Sequence, residues 1–191
     1  RILARLDELK LTDNTFVLYL GDNGFALGEH GFYDKRDAFE ASIRIPMLAR
    51  APGLIKPGTR VESMVLNVDI APSMLELAKV KPPVEPRMDG RSFLPLFGRK
   101  KVSGWREHFV YEYHWEWNFP AQPTTFAIRT DRWKYIYYHG LWDRNGLYDL
   151  ETDPHERHNL ITVPAFRGKA VALREQLFNE LESGGPLTLP V

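Results

Sequence analysis

The stretch Thr15–Arg50, TFVLYLGDNGFALGEHGFYDKRDAFEASIRIPMLAR, carries the strongest fold signal in the chain and most of its candidate chemistry. It opens with an unbroken apolar run, Phe16–Leu20, which predicts a strand buried on both faces, as in a parallel sheet. Asp22 and Asn23 follow, placing a carboxylate beside a carboxamide where the strand ends. Hard oxygen donors of this kind suit Ca²⁺ or Mg²⁺, although an Asx pair followed by glycine is also common turn chemistry.

Two more candidate residues lie in the glycine-marked loop that follows. Lys35 stands thirteen residues after Asp22. Its ammonium could hold an anionic oxygen and stabilise charge that develops in a transition state, or it could be an ordinary solvated lysine. His30 lies between them, and its imidazole could bind substrate, protonate a leaving group or hold the loop together. The residue types alone leave these choices open.

The order of motifs along this stretch resembles the sulfatase family of the alkaline phosphatase superfamily. GDNG is followed by GEHG, YDKR, IRIPML and RAPG, and the likeness continues over nearly the whole chain. The resemblance implies that Asp22 and Asn23 bind a divalent cation, usually Ca²⁺ with Mg²⁺ as the alternative, and that Lys35 contacts the sulfate group. It also implies an α/β fold, in which the C-terminal part of a mixed sheet flanked by helices precedes a small four-stranded antiparallel sheet with a packed helix.

The nucleophile that the family uses has no counterpart in this sequence. Sulfatases act through a formylglycine made from the first residue of a Cys/Ser-x-Pro-x-Arg motif. The chain has no cysteine, and none of its serines has proline two places on and arginine four places on. We therefore expect the chain to be the C-terminal portion of a longer enzyme and, in isolation, to hydrolyse no sulfate ester.

The sequence predicts two domains. Residues 1–104 are expected to be the C-terminal part of the large α/β domain, with the metal loop at 21–37, and residues 105–191 a small α+β subdomain. The signals in the first domain are a helix over 1–10, strands over Ile43–Ala49 and Arg60–Val68, and a helix capped by Asp69. Those in the second are strands over Glu107–Tyr113, Thr124–Thr130, Arg132–His139 and Gly146–Glu151, and a helix over Pro164–Glu182.

An aromatic segment in the second domain is the candidate for carbohydrate contact. There His114 and Trp115 set ring faces beside polar donors, which suits a sugar with an apolar face and hydroxyl edges. A small core between subdomains would explain the same residues. His139 and Trp142 are further candidates of the same kind.

Composition narrows the class of partner. The 25 basic and 25 acidic residues give zero net charge, so no global field favours nucleic acid or a membrane surface. No apolar run is long enough to span a bilayer, and no signal peptide is visible. A bacterial periplasmic or secreted location is implied by the resemblance only.

The resemblance implies hydrolysis of sulfate esters, with a sulfated carbohydrate or an aryl sulfate as substrate. The later part of the chain resembles bacterial enzymes that act on N-acetylglucosamine 6-sulfate or related glycans. One alternative is a phosphodiesterase or phosphonate monoester hydrolase of the same superfamily, which can share the metal loop. The other is a non-catalytic sulfatase-like protein that binds sulfated glycans.

Overall fold

The computed structural model describes residues 1–98, 102–141 and 144–183. Trp142, one of the aromatic candidates, lies outside these ranges. Within them, no helix has the length and apolar character needed to cross a bilayer. In chain order the helices are α1 (Ile2–Glu8), α2 (Glu40–Ile43), α3 (Ile70–Leu77) and α4 (Arg167–Ser183). The strands are β1 (Val17–Leu20), β2 (Met47–Arg50), β3 (His108–Tyr113), β4 (Thr125–Thr130), β5 (Trp133–Tyr138) and β6 (Gly146–Asp149).

The chain forms two compact units that differ from the predicted domains. The first unit comprises Arg1–Asp22 and Pro46–Arg106, and the second comprises Asn23–Ile45 and the residues from Glu107 onward. The loop at 23–45 therefore lies in the second unit, whereas the sequence prediction assigned it to a domain of residues 1–104. The domain boundaries themselves stay a prediction.

The sheet of the first unit pairs β1 with β2 in antiparallel register, with Tyr19 opposite Leu48. The prediction of a parallel strand buried on both faces is therefore wrong here. Tyr19 is 66% exposed and Leu48 is 64% exposed, so one face of this small sheet presents large hydrophobic side chains to solvent. An apolar run alone does not distinguish these two situations. The second predicted strand starts later than expected, because Glu40–Ile43 forms the short helix α2 and Pro46 separates it from β2.

The predicted strand at Arg60–Val68 is also wrong, because the backbone near its end bonds to a buried carboxylate instead of pairing with another strand. Asp69 does precede α3, but its carboxylate accepts hydrogen bonds from the backbone N–H groups of Leu66 at 2.8 Å and Arg91 at 2.9 Å. The guanidinium of Arg106 binds the same carboxylate through two nitrogens. Burial alone would raise the pKa of Asp69, but Arg106 and the backbone donors outweigh it and lower that pKa.

The second unit contains a four-stranded antiparallel sheet in the order β3-β4-β5-β6. Each strand lies within two residues of its predicted position, and α4 confirms the predicted long helix. Side chains alternate between the faces of a sheet, so β4 and β5 each contribute to two layers. The face that packs on α4 is formed by Phe126, Ile128, Tyr135 and Leu147, which contact Ala170, Leu173, Leu177 and Leu181 of the helix.

The opposite face of this sheet is covered by the loop at 23–45. Ala38 and Phe39 of that loop pack into a second buried cluster, whose other members are Ala127, Ile136, Tyr138, Tyr148 and Leu150. The chain just after Lys35 therefore packs against the four-stranded sheet. This is how the fold positions the candidate site.

Candidate active site

Two of the predicted site residues lie together in the loop at 23–45. The Lys35 Nζ donates a hydrogen bond to Asn23 Oδ1 at 3.0 Å, and Asn23 Nδ2 donates to the carbonyl oxygen of Gly24 at 2.7 Å. The Gly24 N–H donates to the carbonyl oxygen of Ser42 at 2.8 Å. A Cβ at Gly24 would stand 2.1 Å from the carbonyl oxygen of Ala41, so only glycine fits there. Asn23 and Lys35 are thus held beside each other by the fold of the loop.

The backbone of Lys35 is held by its neighbour Asp34. Asp34 Oδ1 accepts a hydrogen bond from the Lys35 N–H at 2.6 Å, and the Asp34 carbonyl oxygen accepts one from the Ala26 N–H at 2.9 Å. The side chain of Lys35 itself is exposed. An exposed ammonium on a fixed backbone can reach an anion that approaches from solvent.

The donor chemistry of Asp22 and Asn23 fits a hard divalent cation, but the pair does not complete a coordination shell. Asp22 is exposed and directly precedes Asn23 in the chain. Ca²⁺ takes about six to eight oxygen ligands. No group of three or more His, Asp or Glu side chains in the described ranges could hold a metal ion. Further oxygens would have to come from elsewhere, and the metal role of both residues stays a prediction.

His30 is used to hold the loop. It lies in a short 3₁₀ turn with a left-handed φ of 56°, and its ring stacks on Phe39 with the centroids 3.8 Å apart and the planes 9° apart. Because Phe39 belongs to the buried cluster on the sheet, this stack fixes the turn to the core. A role of His30 toward substrate stays a prediction.

A buried ion cluster, formed by Lys134, Glu40 and Glu156, anchors the segment that follows Lys35. The side chain of Lys134 is fully buried, and its Nζ lies 2.8 Å from Glu40 Oε1, 2.6 Å from Glu156 Oε1 and 2.8 Å from the carbonyl oxygen of Ala38. Burial alone would raise the pKa of Glu40, but Lys134 outweighs it and lowers that pKa. For Glu156, burial prevails and raises the pKa.

A second buried contact anchors the same segment. The Tyr138 hydroxyl donates to Asp37 Oδ1 at 3.0 Å, and the Ala38 N–H donates to that oxygen at 2.6 Å. Burial raises the pKa of Asp37 despite these donors. Burial, together with the neighbouring Asp37 carboxylate, also raises the pKa of Tyr138. The backbone from 37 to 40 is thus tied to β5 by two independent polar contacts.

The aromatic candidates of the second unit lie on and beside a closed loop after β3. The Trp115 N–H donates to Thr124 Oγ1 at 2.9 Å, and the His139 N–H donates to the Thr124 carbonyl oxygen at 2.9 Å. Trp115 is 41% exposed and Trp117 is 82% exposed, so their rings do not form a core within this unit. The His114 side chain is exposed as well. Contact of these residues with a sugar stays a prediction.

Reasoning from the sequence missed Lys134 and gave Arg36 no role. The Lys134 ammonium bonds to the Ala38 carbonyl oxygen across 96 positions of sequence, and Arg36 bonds to Glu116 across 80. No local pattern signals such partners. The one available hint was a lysine within a strongly apolar strand, which requires a buried counter-charge.

Comparison with known proteins agrees with this fold. The family described as N-sulphoglucosamine sulphohydrolase, C-terminal, matches residues 28–183. An N-acetylglucosamine-6-O-sulfatase of Bacteroides thetaiotaomicron is 33% identical over 182 residues, which cover 93% of this chain and 32% of that protein. The chain thus spans about a third of the length of this curated relative.

Two solved structures are similar over nearly the whole chain. One, a complex with its substrate D-glucosamine-2-N,6-O-disulfate, has a TM-score of 0.85 and 32% identity, covering 95% of this chain and 37% of that one. The other, a phosphonate monoester hydrolase from Silicibacter pomeroyi, has a TM-score of 0.81 and 25% identity, covering 96% and 38%. On the family match and the identity to a curated sulfatase, the chain belongs to the sulfatases, as a member of the N-sulphoglucosamine sulphohydrolase C-terminal family.

Proposed function

We propose that this chain is part of an enzyme that hydrolyses sulfate esters on a sulfated glycan, using a divalent cation and a formylglycine nucleophile contributed from outside this chain. The observation that carries the proposal is the 3.0 Å contact between Lys35 Nζ and Asn23 Oδ1. This contact places an ammonium group, which can bind an anion, next to a carboxamide oxygen of the kind that coordinates hard cations. A sulfate group, whose oxygens can be shared between a metal ion and a lysine, suits such a pair.

The residues of this chain would act by holding the sulfate group. Lys35 Nζ has three donors, so it can bind a sulfate oxygen while it keeps its hydrogen bond to Asn23. Because its backbone is fixed by Asp34, its charge is placed before the substrate arrives, and such preorganised charge stabilises a transition state. A cation bound by Asp22 and Asn23 would supply further positive charge to the sulfate oxygens. The exposed His30 is the candidate to protonate the leaving alcohol.

The proposed substrate class is a sulfated carbohydrate. Two comparisons support it: the similar curated protein is named for N-acetylglucosamine 6-O-sulfate, and the similar structure holds a glucosamine disulfate. In this chain the exposed Trp115, together with His114 and His139, would meet the sugar ring. We extend the proposal to a periplasmic or secreted location, where a bacterial enzyme would meet such glycans.

A phosphonate monoester or phosphate diester hydrolase is the second candidate. The similar phosphonate monoester hydrolase structure favours it, because an ammonium beside a metal-ligand type of oxygen would hold a phosphoryl group as well. A non-catalytic glycan-binding protein is the third. It differs from both enzymes in lacking turnover altogether.

Substrate comparison separates these candidates. The complete product of the gene would be assayed on 4-nitrophenyl sulfate, N-acetylglucosamine 6-sulfate, phenylphosphonate monoester and bis(4-nitrophenyl) phosphate, with chelator and then with added Ca²⁺ or Mg²⁺. We expect the highest kcat/KM on a sulfated sugar, lost with chelator and restored by Ca²⁺. Higher kcat/KM on the phosphorus esters would favour the phosphonate monoester or phosphate diester hydrolase. Binding of sulfated glycan without any turnover would favour the non-catalytic glycan-binding protein.

A further inference from the structure

The Lys35 loop and the aromatic loop are joined by one arginine. Arg36 directly follows Lys35, and its Nη1 donates to Asp34 Oδ1 at 2.8 Å. Its Nε donates to Glu116 Oε1 at 3.3 Å, and Glu116 stands beside Trp115 in the chain. The same guanidinium therefore binds the carboxylate that fixes the Lys35 backbone and a carboxylate of the aromatic loop.

The contact between these two loops includes an aromatic ring. The Cζ of Arg36 lies 3.2 Å from the centroid of the Phe119 ring. Phe119 is part of a closed turn, since its N–H donates to the Glu116 carbonyl oxygen at 2.9 Å and its carbonyl oxygen accepts from the Gln122 N–H at 3.0 Å. Arginine suits this position because the guanidinium can donate hydrogen bonds to two carboxylates in its plane while its face stacks on an aromatic ring.

The guanidinium of Arg36 is partly buried and pairs with two carboxylates. The side chains of Arg36 and Asp34 are each 19% exposed, whereas that of Glu116 is 48% exposed. Burial alone would lower the pKa of Arg36, but the Asp34 and Glu116 carboxylates outweigh it and raise that pKa. Arg36 is thus permanently charged and paired on both sides.

We propose that Arg36 is a positioning residue for glycan substrates, because it sets the spacing between the sulfate-holding Lys35 and the sugar-facing aromatic loop around Trp115. This inference rests on the proposed function. Arg36 itself would touch neither the sulfate nor the reacting atoms. A substrate that has both a sulfate and a sugar ring depends on that spacing, whereas a small aryl sulfate has no sugar ring that must reach the aromatic loop.

The test compares Arg36→Gln with wild type in the complete product of the gene, on a sulfated sugar and on 4-nitrophenyl sulfate. We expect KM for the sulfated sugar to rise about tenfold or more, with kcat/KM for the aryl sulfate staying within about threefold. Arg36→Lys should restore little of the loss, because an ammonium cannot bind two carboxylates and stack on Phe119 together. Glu116→Gln should produce the same substrate split in weaker form.

Arg132→Gln is the matched control. Arg132 also pairs with two carboxylates, those of Asp149 and Glu151, and its Cζ lies 5.1 Å from the ring centroid of Trp133. The Arg132→Gln substitution removes the same kinds of contact within the same unit, at a position far along the chain from the Lys35 loop. We expect it to leave the ratio of the two substrates unchanged.

A structural readout keeps the inference testable if the proposed function fails. The protein would be labelled with 5-fluorotryptophan, and its signals assigned by single Trp→Phe substitutions. Arg36→Gln should shift or broaden the signals of Trp115 and Trp117 and leave that of Trp133 in place, while Arg132→Gln should do the reverse.

Three results would overturn the inference. They are unmoved Trp115 and Trp117 signals in Arg36→Gln, equal losses of kcat/KM on both substrates, and the same substrate split in Arg132→Gln. If the wild-type protein hydrolyses no sulfate ester, the proposed function fails, and the fluorine signals still decide whether Arg36 joins the two loops.

Discussion

Replacing Lys134 by methionine tests how the segment after Lys35 is held. The side chain of Lys134 is fully buried, and those of Glu40 and Glu156 are 13% and 1% exposed. Methionine fills a similar volume but leaves two carboxylates facing each other without their cation. Removing one partner of a buried ion pair typically costs about 3–5 kcal/mol. Glu40 keeps a contact at 3.5 Å with Arg129, so we expect the lower half of that range, about 3–4 kcal/mol.

The measurement is urea-induced unfolding followed by far-UV circular dichroism at pH 7. With a dependence of about 2 kcal/mol per molar urea, the midpoint should fall by about 1.5–2 M. Lys169→Met is the matched control, because Lys169 is an exposed lysine on α4 in the same unit. Its replacement should change the free energy of unfolding by no more than about 0.5 kcal/mol.

The loss in Lys134→Met should depend on pH with a definite sign. Without the ammonium, we expect the folded-state pKa of Glu40 to rise above its unfolded value, and the pKa of Glu156, which burial already raises, to rise further. A carboxyl group with a raised folded pKa destabilises the protein when it ionises, so the deficit is full at neutral pH and shrinks as the pH falls through the raised pKa. The double variant Lys134→Met, Glu156→Gln should recover part of the loss at pH 7 by removing one carboxylate. A deficit below about 1 kcal/mol, or one that stays the same from pH 7 to the acid range, would refute this account of the cluster.

Three further changes test other parts of the site. Lys35→Ala should lower kcat/KM on a sulfate ester by about 10²-fold or more, which is the scale of losing one hydrogen-bond donor to developing charge. An unchanged kcat/KM would show that Lys35 is an ordinary surface lysine. Asp22→Ala should abolish activity and bound divalent cation in the complete gene product, with Asn23→Ala less severe, as metal analysis beside the activity assay would show. Tyr138→Phe should lower the free energy of unfolding by about 1–3 kcal/mol at pH 7, with the deficit shrinking in acid as the Asp37 carboxylate protonates; a pH-independent loss in the unfolding curves would exclude the Asp37 contact as its cause.

The small antiparallel sheet and its helix were predictable because their signals are local. Segments rich in aromatic and β-branched residues place β3 to β6 within two residues of their observed bounds. The spacing of Ala170, Leu173, Leu177 and Leu181 follows the helical period, and these residues are the ones that pack on the sheet. The motif order around Lys35 likewise identified the family, since it is carried by consecutive residues.

The pairing of elements was decided by the tertiary structure. The run at Phe16–Leu20 predicted a strand correctly but not its partner or its exposure, because an apolar pattern records which residues avoid water and not which neighbour covers them. The loop at 23–45 joins the second unit because its buried groups find their counter-charges there. Lys134 and Arg36 bind carboxylates 94 and 80 positions away, as the positions of Glu40 and Glu116 show. A charge can be buried or held only where the folded chain brings its partner, so these contacts emerge from the three-dimensional structure alone.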